Sequence, residues 1–502
     1  MRNNALDFWT RTVAAGLGLF APGLAMKWAS GRMMLRHYTA AKTSGPNGAW
    51  RPTKKSADQI LKRDAALIRE RARDLERNAP HIAGAVNTIT SNVVYLGIPP
   101  QAQLRNAEGK PDVEANRRAE ALFSAWSEET DFADLQTLAF RRMFIDGEIL
   151  VHPVPRFDLD RLGIVPLGLE LLEADHLDDK ADGWLPNGNE MRRGVEFTPT
   201  GEVAAYHVLT RHPGDGISAV AVETVRVPAS DMELAFNRFR PSQTRGVSWL
   251  SPIIMEAFDY AQFQSYHRIA AKLMAAYVRY IKTDIPEAMD PTLTGGAGIG
   301  GGATASGERK FGPNFPEFPQ PAQTVFLPNG MTIQESQYTH PGPYYEAFSK
   351  ISLKGTAAGL GLPYSTFAGD YSDASYSADR AAQLASRRYY QVCQVIFARA
   401  FLRPCWRQFW RFATVSGLAR RANLPARIPV RWQFPGWEWV DPMKDAVAAE
   451  RDLANMLTTR RRLCERKGVD FDTILEERKQ EEEAMAAAGF LPAKTEGKNN
   501  AA

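Results

Sequence analysis

Arg238-Phe239-Arg240-Pro241-Ser242-Gln243-Thr244-Arg245-Gly246-Val247-Ser248-Trp249-Leu250-Ser251-Pro252, followed by thirty residues from Ile253 to Lys282 with neither proline nor glycine, is the stretch on which the fold turns. Ser251-Pro252 reads as a helix start, a capping serine with proline at the first helical position, and Leu250 is placed to act as a hydrophobic staple. A helix over Ile253–Lys282 would be roughly 45 Å long at 1.5 Å per residue. Its faces are mixed, because Asp259, Arg268, Lys272 and Arg279 lie among Tyr, Phe, Ile and Ala. That composition suits a helix lying between neighbours with solvent on one side.

Upstream, residues 40–56 read as a linker, and helix signals begin at Ser56, with Gln59 completing a capping box. Ile60, Leu61, Ile68 and Leu75 follow at helical spacing up to Pro80, and a second helix places Ile82, Val86, Ile89 and Val93 on one face. A third helix is expected around Leu122 and Trp126, and a fourth with Leu135, Leu138 and Phe144. Asp146-Gly147 then turns the chain into the strand Glu148–Val151. From about 150 to 240 the short runs Ile164–Leu172, Val203–Leu209 and Thr224–Val227 alternate with turn residues, which is the texture of a mixed α/β region.

Downstream, residues 293–309 are glycine-rich and read as a mobile loop, without the strand–loop–helix context of a nucleotide site. A short β segment, Gln323–Leu327, turns at Pro328-Asn329-Gly330, and a helix is expected from about Tyr344 to Leu360. A polar loop precedes a long helix from about Ser375 to Val415, which Pro404 should kink or split. Leu384, Val392, Val395, Leu402 and Phe409 are its larger apolar residues. Pro442 opens a last helical region, ending in Glu476, Glu477, Glu481, Glu482 and Glu483 as a solvated face.

Composition sets limits. With 502 residues, more than one packed region is expected, and the net charge of +4 is too small to demand a nucleic-acid partner. Cys393, Cys405 and Cys464 are an odd set without C-x-x-C spacing, which argues for packing residues and against a disulfide scaffold or structural zinc. The apolar run Ala14–Met26 is broken by Pro22 and ended by Lys27, so an arm is expected and no membrane span or export signal. Nucleotide, zinc-protease and serine-hydrolase motifs are absent, and eight histidines are sparse. His207 and His212 share no helical or strand face. Glu170 and Glu173 have no identifiable proton-transfer partner and read as strand-edge charges. Asp370, Asp373 and Asp379 read as a turn that helps to cap the next helix, not as a metal site. No catalytic residue, metal or cofactor is expected. Trp406, Trp410, Trp432, Trp437 and Trp439 could anchor contacts between subunits or fill a core, and the sequence leaves both open.

Several blocks resemble, in order, the lambda-type family of phage portal proteins. They are Arg73-Asp74-Leu75-x-Arg77-Asn78 running to Gly97-Ile98; Phe132, Leu135-Gln136, Arg141 and Asp146-Gly147-Glu148; and Leu169-Glu170, Glu173-Ala174-Asp175, Gly194-Val195-Glu196 and Ala205-Tyr206. The most specific is the opening block, with Arg238, Gln243, Arg245, Gly246 and Pro252. Gly359-Leu360-Gly361-Leu362-Pro363 with Asp370, Tyr376-Ser377 and Arg380 follows, and the last is Trp437-x-Trp439-Val440-Asp441-Pro442-x-Lys444. Asn329-Gly330-Met331 departs from the family's usual Pro-Gly-Glu-like turn, and the first forty residues and the glycine-rich segment match little.

The resemblance implies an α+β portal fold with an α/β wing, a two-helix stem, a clip and a C-terminal helical crown, assembled as a cyclic ring without enzymatic activity. On this chain it implies an N-terminal arm and linker (1–55), wing (56–250), first stem helix (251–284) and clip with its glycine-rich mobile loop (285–342). The second stem helix (343–361), candidate tunnel loop (362–375), long kinked helix with the rest of the wing (376–440), crown (441–485) and disordered tail (486–502) follow. It also implies a homododecamer at one capsid vertex of the virion, assembled in the host cytoplasm. Terminase would package double-stranded DNA through that channel without sequence specificity, and the genome would later be ejected through it. The implied partners are the terminase large subunit, the major capsid protein and scaffold, and a head–tail adaptor. Another head–tail adaptor or capsid-associated structural protein is the alternative. Thr366, Asp370, Tyr371, Ser372, Asp373 and Ser375 would then line the bore, polar and free of cations that would grip phosphate.

Overall fold

A computed structural model describes residues 54–215, 223–275, 279–282, 324–327, 342–372, 375–438 and 441–488. The expected N-terminal arm and glycine-rich segment, together with Asp373 and Trp439, lie outside these residues. Residues 57 onward form one compact unit.

Helices α1 (Ala57–Asn78) and α2 (Pro80–Val93) start where the capping and proline signals place them. Ile82, Val86, Ile89 and Val93 are all buried, as their spacing predicts. On α1 the buried stripe is Ala57, Leu61, Ala65, Arg69, Ala72 and Leu75, while Ile60 and Ile68 are only half-buried. The short strand β1 (Pro100–Ala102) leads to α3 (Val113–Glu129) and α4 (Phe132–Ile145). β2 (Glu148–Pro155), the one-turn α5 (Phe157–Arg161) and β3 (Leu167–Leu172) follow. β4 (Gly183–Trp184), β5 (Glu190–Arg192), β6 (Val195–Phe197), β7 (Val203–Leu209) and β8 (Thr224–Pro228) make an antiparallel meander in chain order. β9 (Glu233–Phe236) returns to pair with β2, giving a second antiparallel sheet ordered β3-β2-β9.

The long helix is shorter than expected. α6 runs from Ile254 to Ala275, Ser251-Pro252 sits in the preceding turn, and Arg279–Lys282 is a strand, β10. β10 pairs in parallel with β11 (Thr324–Leu327), so a distant partner overrides a local sequence without any helix breaker. At 1.5 Å per residue α6 spans roughly 33 Å. α7 (Tyr345–Gly359) packs antiparallel on it: Phe263 meets Phe348 with ring centroids 4.6 Å apart at one end, and Gly359 lies against Ile253 at the other. A Cβ on Gly359 would stand 2.3 Å from Ile253 Cγ2 and one on Gly355 2.4 Å from Glu256 Oε1. Gly359 lets the helices approach against the branched Ile253, whereas at Gly355 only the flexible end of Glu256 would have to move.

After the one-turn α8 (Tyr364–Ala368), α9 (Tyr376–Phe397) passes through a π-helical turn, Ala398–Leu402, into α10 (Arg403–Val415). The discontinuity expected at Pro404 is this turn. Proline has no N–H to give the carbonyl four residues back, and the looser winding accommodates that gap without a break. α11 (Leu418–Arg421) and β12 (Val430–Trp432) follow, and β12 pairs antiparallel with β1, so the two halves of the chain share one core. Helices α12 (Pro442–Ala454), α13 (Arg460–Arg466) and α14 (Phe471–Ala487) complete the described chain.

Aromatic rings fill that core. Phe123, Trp126, Phe132, Trp406 and Phe409 form one connected network, with neighbouring ring centroids 5.0–6.1 Å apart. Trp126 donates to the Leu167 carbonyl at 2.7 Å, Trp406 to that of Ile428 at 2.8 Å, and Trp437 to Asn92 Oδ1 at 2.8 Å. Trp406, Trp410 and Trp432 are buried within the chain, which decides for these three in favour of core and against subunit anchors, while Trp437 is partly buried and packs on the same core. Leu384, Val392 and Val395 instead face outward, the last two 56% and 59% exposed.

Candidate functional site

Two of the sequence blocks are one site. Glu148 and Arg245 are completely buried, 97 residues apart in sequence, and Arg245 Nε donates to Glu148 Oε1 at 2.7 Å. The Gly246 N–H donates to Glu148 Oε2 at 2.7 Å. Arg245 Nη1 also donates to Asp179 and to the Arg193 carbonyl, each at 2.8 Å, and Nη2 to the Ala174 carbonyl at 3.0 Å. Burial works against the Arg245 charge, but Glu148 and Asp179 outweigh it and hold its pKa above the ordinary value. Gly147, at φ +93°, and Gly246 bring the two backbones into contact: a Cβ on Gly147 would stand 2.3 Å from the Val247 carbonyl carbon, and one on Gly246 2.2 Å from the Gly147 oxygen.

The rest of the opening block closes around this pair. Gln243 Oε1 accepts from the Phe239 N–H at 2.9 Å, while its Nε2 donates to the Arg245 carbonyl at 2.7 Å. Arg238 lies over the Phe236 ring at 5.5 Å, and Pro252 is exposed in the turn before α6. Next to it, Arg73 binds Asp146 through Nε at 2.8 Å and Nη2 at 3.0 Å, and that Nη2 also meets Glu173 and Asp175 at 2.8 Å. Glu173 therefore has a partner that sequence reasoning missed, and Glu170 lies 3.0 Å from His152. His207 and His212 are separate, as expected: His207 lies 3.1 Å from Glu196, and His212 lies 3.5 Å from Glu173 and 3.8 Å from Asp175. Glu173, Asp175 and His212 converge closely enough to suggest a cation, but Arg73 already supplies the positive charge there.

The candidate channel loop is more ordered than a loop. Pro363 precedes α8, on which Ser365 and Phe367 face inward and Thr366 is half-buried, and Gly369 ends the turn at φ +67°. Asp370 accepts from the Ser372 hydroxyl at 2.6 Å, the Ser372 N–H at 3.1 Å and the Tyr364 hydroxyl at 2.9 Å, which hold its pKa down to about 2. Tyr371 and Ser372 are exposed. Ser375, also exposed, is the residue that caps α9, accepting from the Ala378 N–H at 3.3 Å; Asp370 and Asp379 do not share that role. Asp379 instead accepts from Ser365 at 2.8 Å and from Gln383 at 2.7 Å.

The loop itself holds no cation, yet α7 brings two beside it. Lys354 Nζ lies 5.3 Å from the Tyr364 ring centre, and Lys350 acts on Asp370 electrostatically while paired with Glu346 at 2.9 Å. Their i, i+4 spacing on a helix entering the loop was the available signal. Lys350, with Tyr260 and Ser349, borders a cleft of about 600 Å³ between α6, α7 and the loop. In the last block, Asp441 caps α12 by accepting from the Lys444 N–H at 3.3 Å, and Pro442 takes the first helical position.

The family model described as phage portal protein, lambda family, matches residues 43–394, and the chain belongs to that family. A probable portal protein of Halomonas phage phiHAP-1 is 26% identical over 88% of this chain and 85% of its own length. The portal protein of Escherichia phage N15 is 23% identical over 92% and 93%, and portal protein B of Escherichia phage lambda is 24% identical over 88% of each. Among solved structures, the neck of an empty gene transfer agent particle is 14% identical, with a TM-score of 0.38 over 84% of this chain and 97% of the other. The neck of the native particle gives 15% and 0.34 over 81% and 94%. Among the described residues, no helix is long and apolar enough to cross a membrane.

Proposed function

We propose that the chain assembles into a twelve-membered ring at one capsid vertex of the virion, a channel for double-stranded DNA with no catalytic role of its own. Membership of the portal family over residues 43–394 is the observation that carries this reading. In it, the antiparallel pair α6 and α7 forms the stem, and residues 285–342 form the clip facing the terminase large subunit during packaging and a head–tail adaptor afterwards. Residues 56–250 and 376–440 form the wing, toward the major capsid protein and scaffold, and 441–485 the crown. The stretch 362–375 faces the bore, where its hydrogen-bonded carboxylate offers DNA phosphates no attraction and sequence no readout. Assembly takes place in the host cytoplasm, and the filled particle later releases its genome through the same ring.

Native mass spectrometry of the full-length protein, with particle images of the same sample, tests this. The expected result is a closed ring near twelve times the 55.8 kDa subunit, with a hole admitting duplex DNA, about 20 Å across. A protein that stays monomeric or dimeric across concentration and salt would overturn it.

A further inference from the structure

The C-terminal helices leave a mismatch within one chain that a second copy resolves. α12, α13 and α14 carry no fully buried residue. α14 is fastened at its start, where Arg117 pairs with Glu476 and Arg461 bonds Asp472 at 2.7 Å, but every residue from Glu477 to Ala488 is exposed. Short helices are marginal in water unless a face is packed. Glu477, Glu481 and Glu482 have no cationic partner among the described residues, and Glu477, Glu481 and Met485 form one stripe at i, i+4 spacing.

The complement lies close by. Between α13 and the α9–α10 helix is a cleft of about 600 Å³, bordered by Arg403, Arg462 and Arg466 and floored by Val395 and Trp437. All three arginines are exposed, and none has a carboxylate partner among the described residues. An apolar floor with a cationic rim is what an acidic helix with an apolar stripe fits.

We propose that the free half of α14, through Glu477, Glu481 and Met485, docks in the Arg403–Arg462–Arg466 cleft of a neighbouring copy. This deepens the ring reading and rests on it. The two surfaces differ, so each copy gives one and receives the other, the heterologous contact that builds a cycle. α13 borders the cleft and packs on the start of α14, so the acidic helix and the cleft lie in the same C-terminal region of the chain.

Full-length chains carrying Glu481→Cys with Arg462→Cys, and separately Glu477→Cys with Arg466→Cys, are oxidised and run without reductant, with the parent chain as control. The expected result is a covalent ladder extending beyond the dimer in at least one pair and none in the parent. Assembled rings without a ladder in either pair, or a ladder that stops at two, overturn the pairing and leave the ring reading intact. A parent that never assembles overturns both. As an independent measure, Glu477→Arg with Glu481→Arg should raise the concentration for half-assembly by about tenfold or more. Adding Arg462→Glu with Arg466→Glu should recover most of that loss, and equal assembly by all variants overturns the proposal.

Discussion

Glu148 uses one carboxylate oxygen for the Arg245 guanidinium and the other for the Gly246 N–H, both at 2.7 Å and both beyond the reach of solvent. The strand that opens one sheet and the turn that introduces α6 are thus joined by a buried ion pair and a backbone contact at the same point. Removing one partner of such a pair strands a charge, which typically costs about 3–5 kcal/mol. Arg245→Ala is expected to destabilise the protein by that order, read as a shift in the denaturant midpoint at fixed subunit concentration. Arg245→Met combined with Glu148→Leu should cost clearly less than the two single changes summed.

Two glycines test the close approach without changing charge. Gly147→Ala places a Cβ against the Val247 backbone at a positive φ, and a loss of at least about 2 kcal/mol is expected. Gly84→Ala, in α2 with nothing within 4 Å of its Cβ, should be neutral or stabilising by up to about 1 kcal/mol. Thermal unfolding of the two variants side by side checks the contrast.

The thiols divide by environment. Cys393 and Cys405 are buried, and burial pushes both pKa values up, that of Cys393 to about 12, whereas Cys464 is half-exposed. A group raised in this way keeps its proton through the neutral range. In the folded protein at pH 8, iodoacetamide should modify Cys464 alone, with the other two reacting only after denaturation. Peptide mapping by mass spectrometry distinguishes the three.

Asp370 sets the acid limit of its loop. Its folded-state pKa of about 2 lies below the ordinary 3.8, so its ionised hydrogen bonds favour the folded loop above the ordinary value and are lost as pH falls through the folded one. Carboxyl NMR of selectively labelled aspartate should show this group still ionised at pH 3. Asp370→Ala should leave the overall fold unchanged and increase amide exchange at Ser372, whose N–H it holds.

Local signals carried much of the architecture. Pro80, Pro404 and the spacing of Ile82, Val86, Ile89 and Val93 each led to the element observed, because capping, ring geometry and burial periodicity act within a few residues. The errors came from partners far away in the chain. Nothing between Ile253 and Lys282 stops a helix, and only pairing with Thr324–Leu327 turns Arg279–Lys282 into a strand. Tyr364–Ala368 looked like loop because the residue that fastens it, Phe367, is buried near His81, some 290 positions earlier in the chain. The motifs containing Glu148 and Arg245 were both visible, but not that one side chain grips the other, since nothing in either segment encodes the distance between them.

The joint between β2 and α6 has a mechanical meaning. From Arg245 to Ile253 the chain is fastened almost residue by residue: Gly246 to Glu148, the Trp249 N–H to the Phe144 carbonyl at 3.0 Å, and Ser248, Leu250 and Ile253 buried. The root of α6 therefore has no free swivel. A load along that helix passes into the sheet as thrust instead of being taken up by bending, and an assembly of such parts would yield first where one subunit slides against the next.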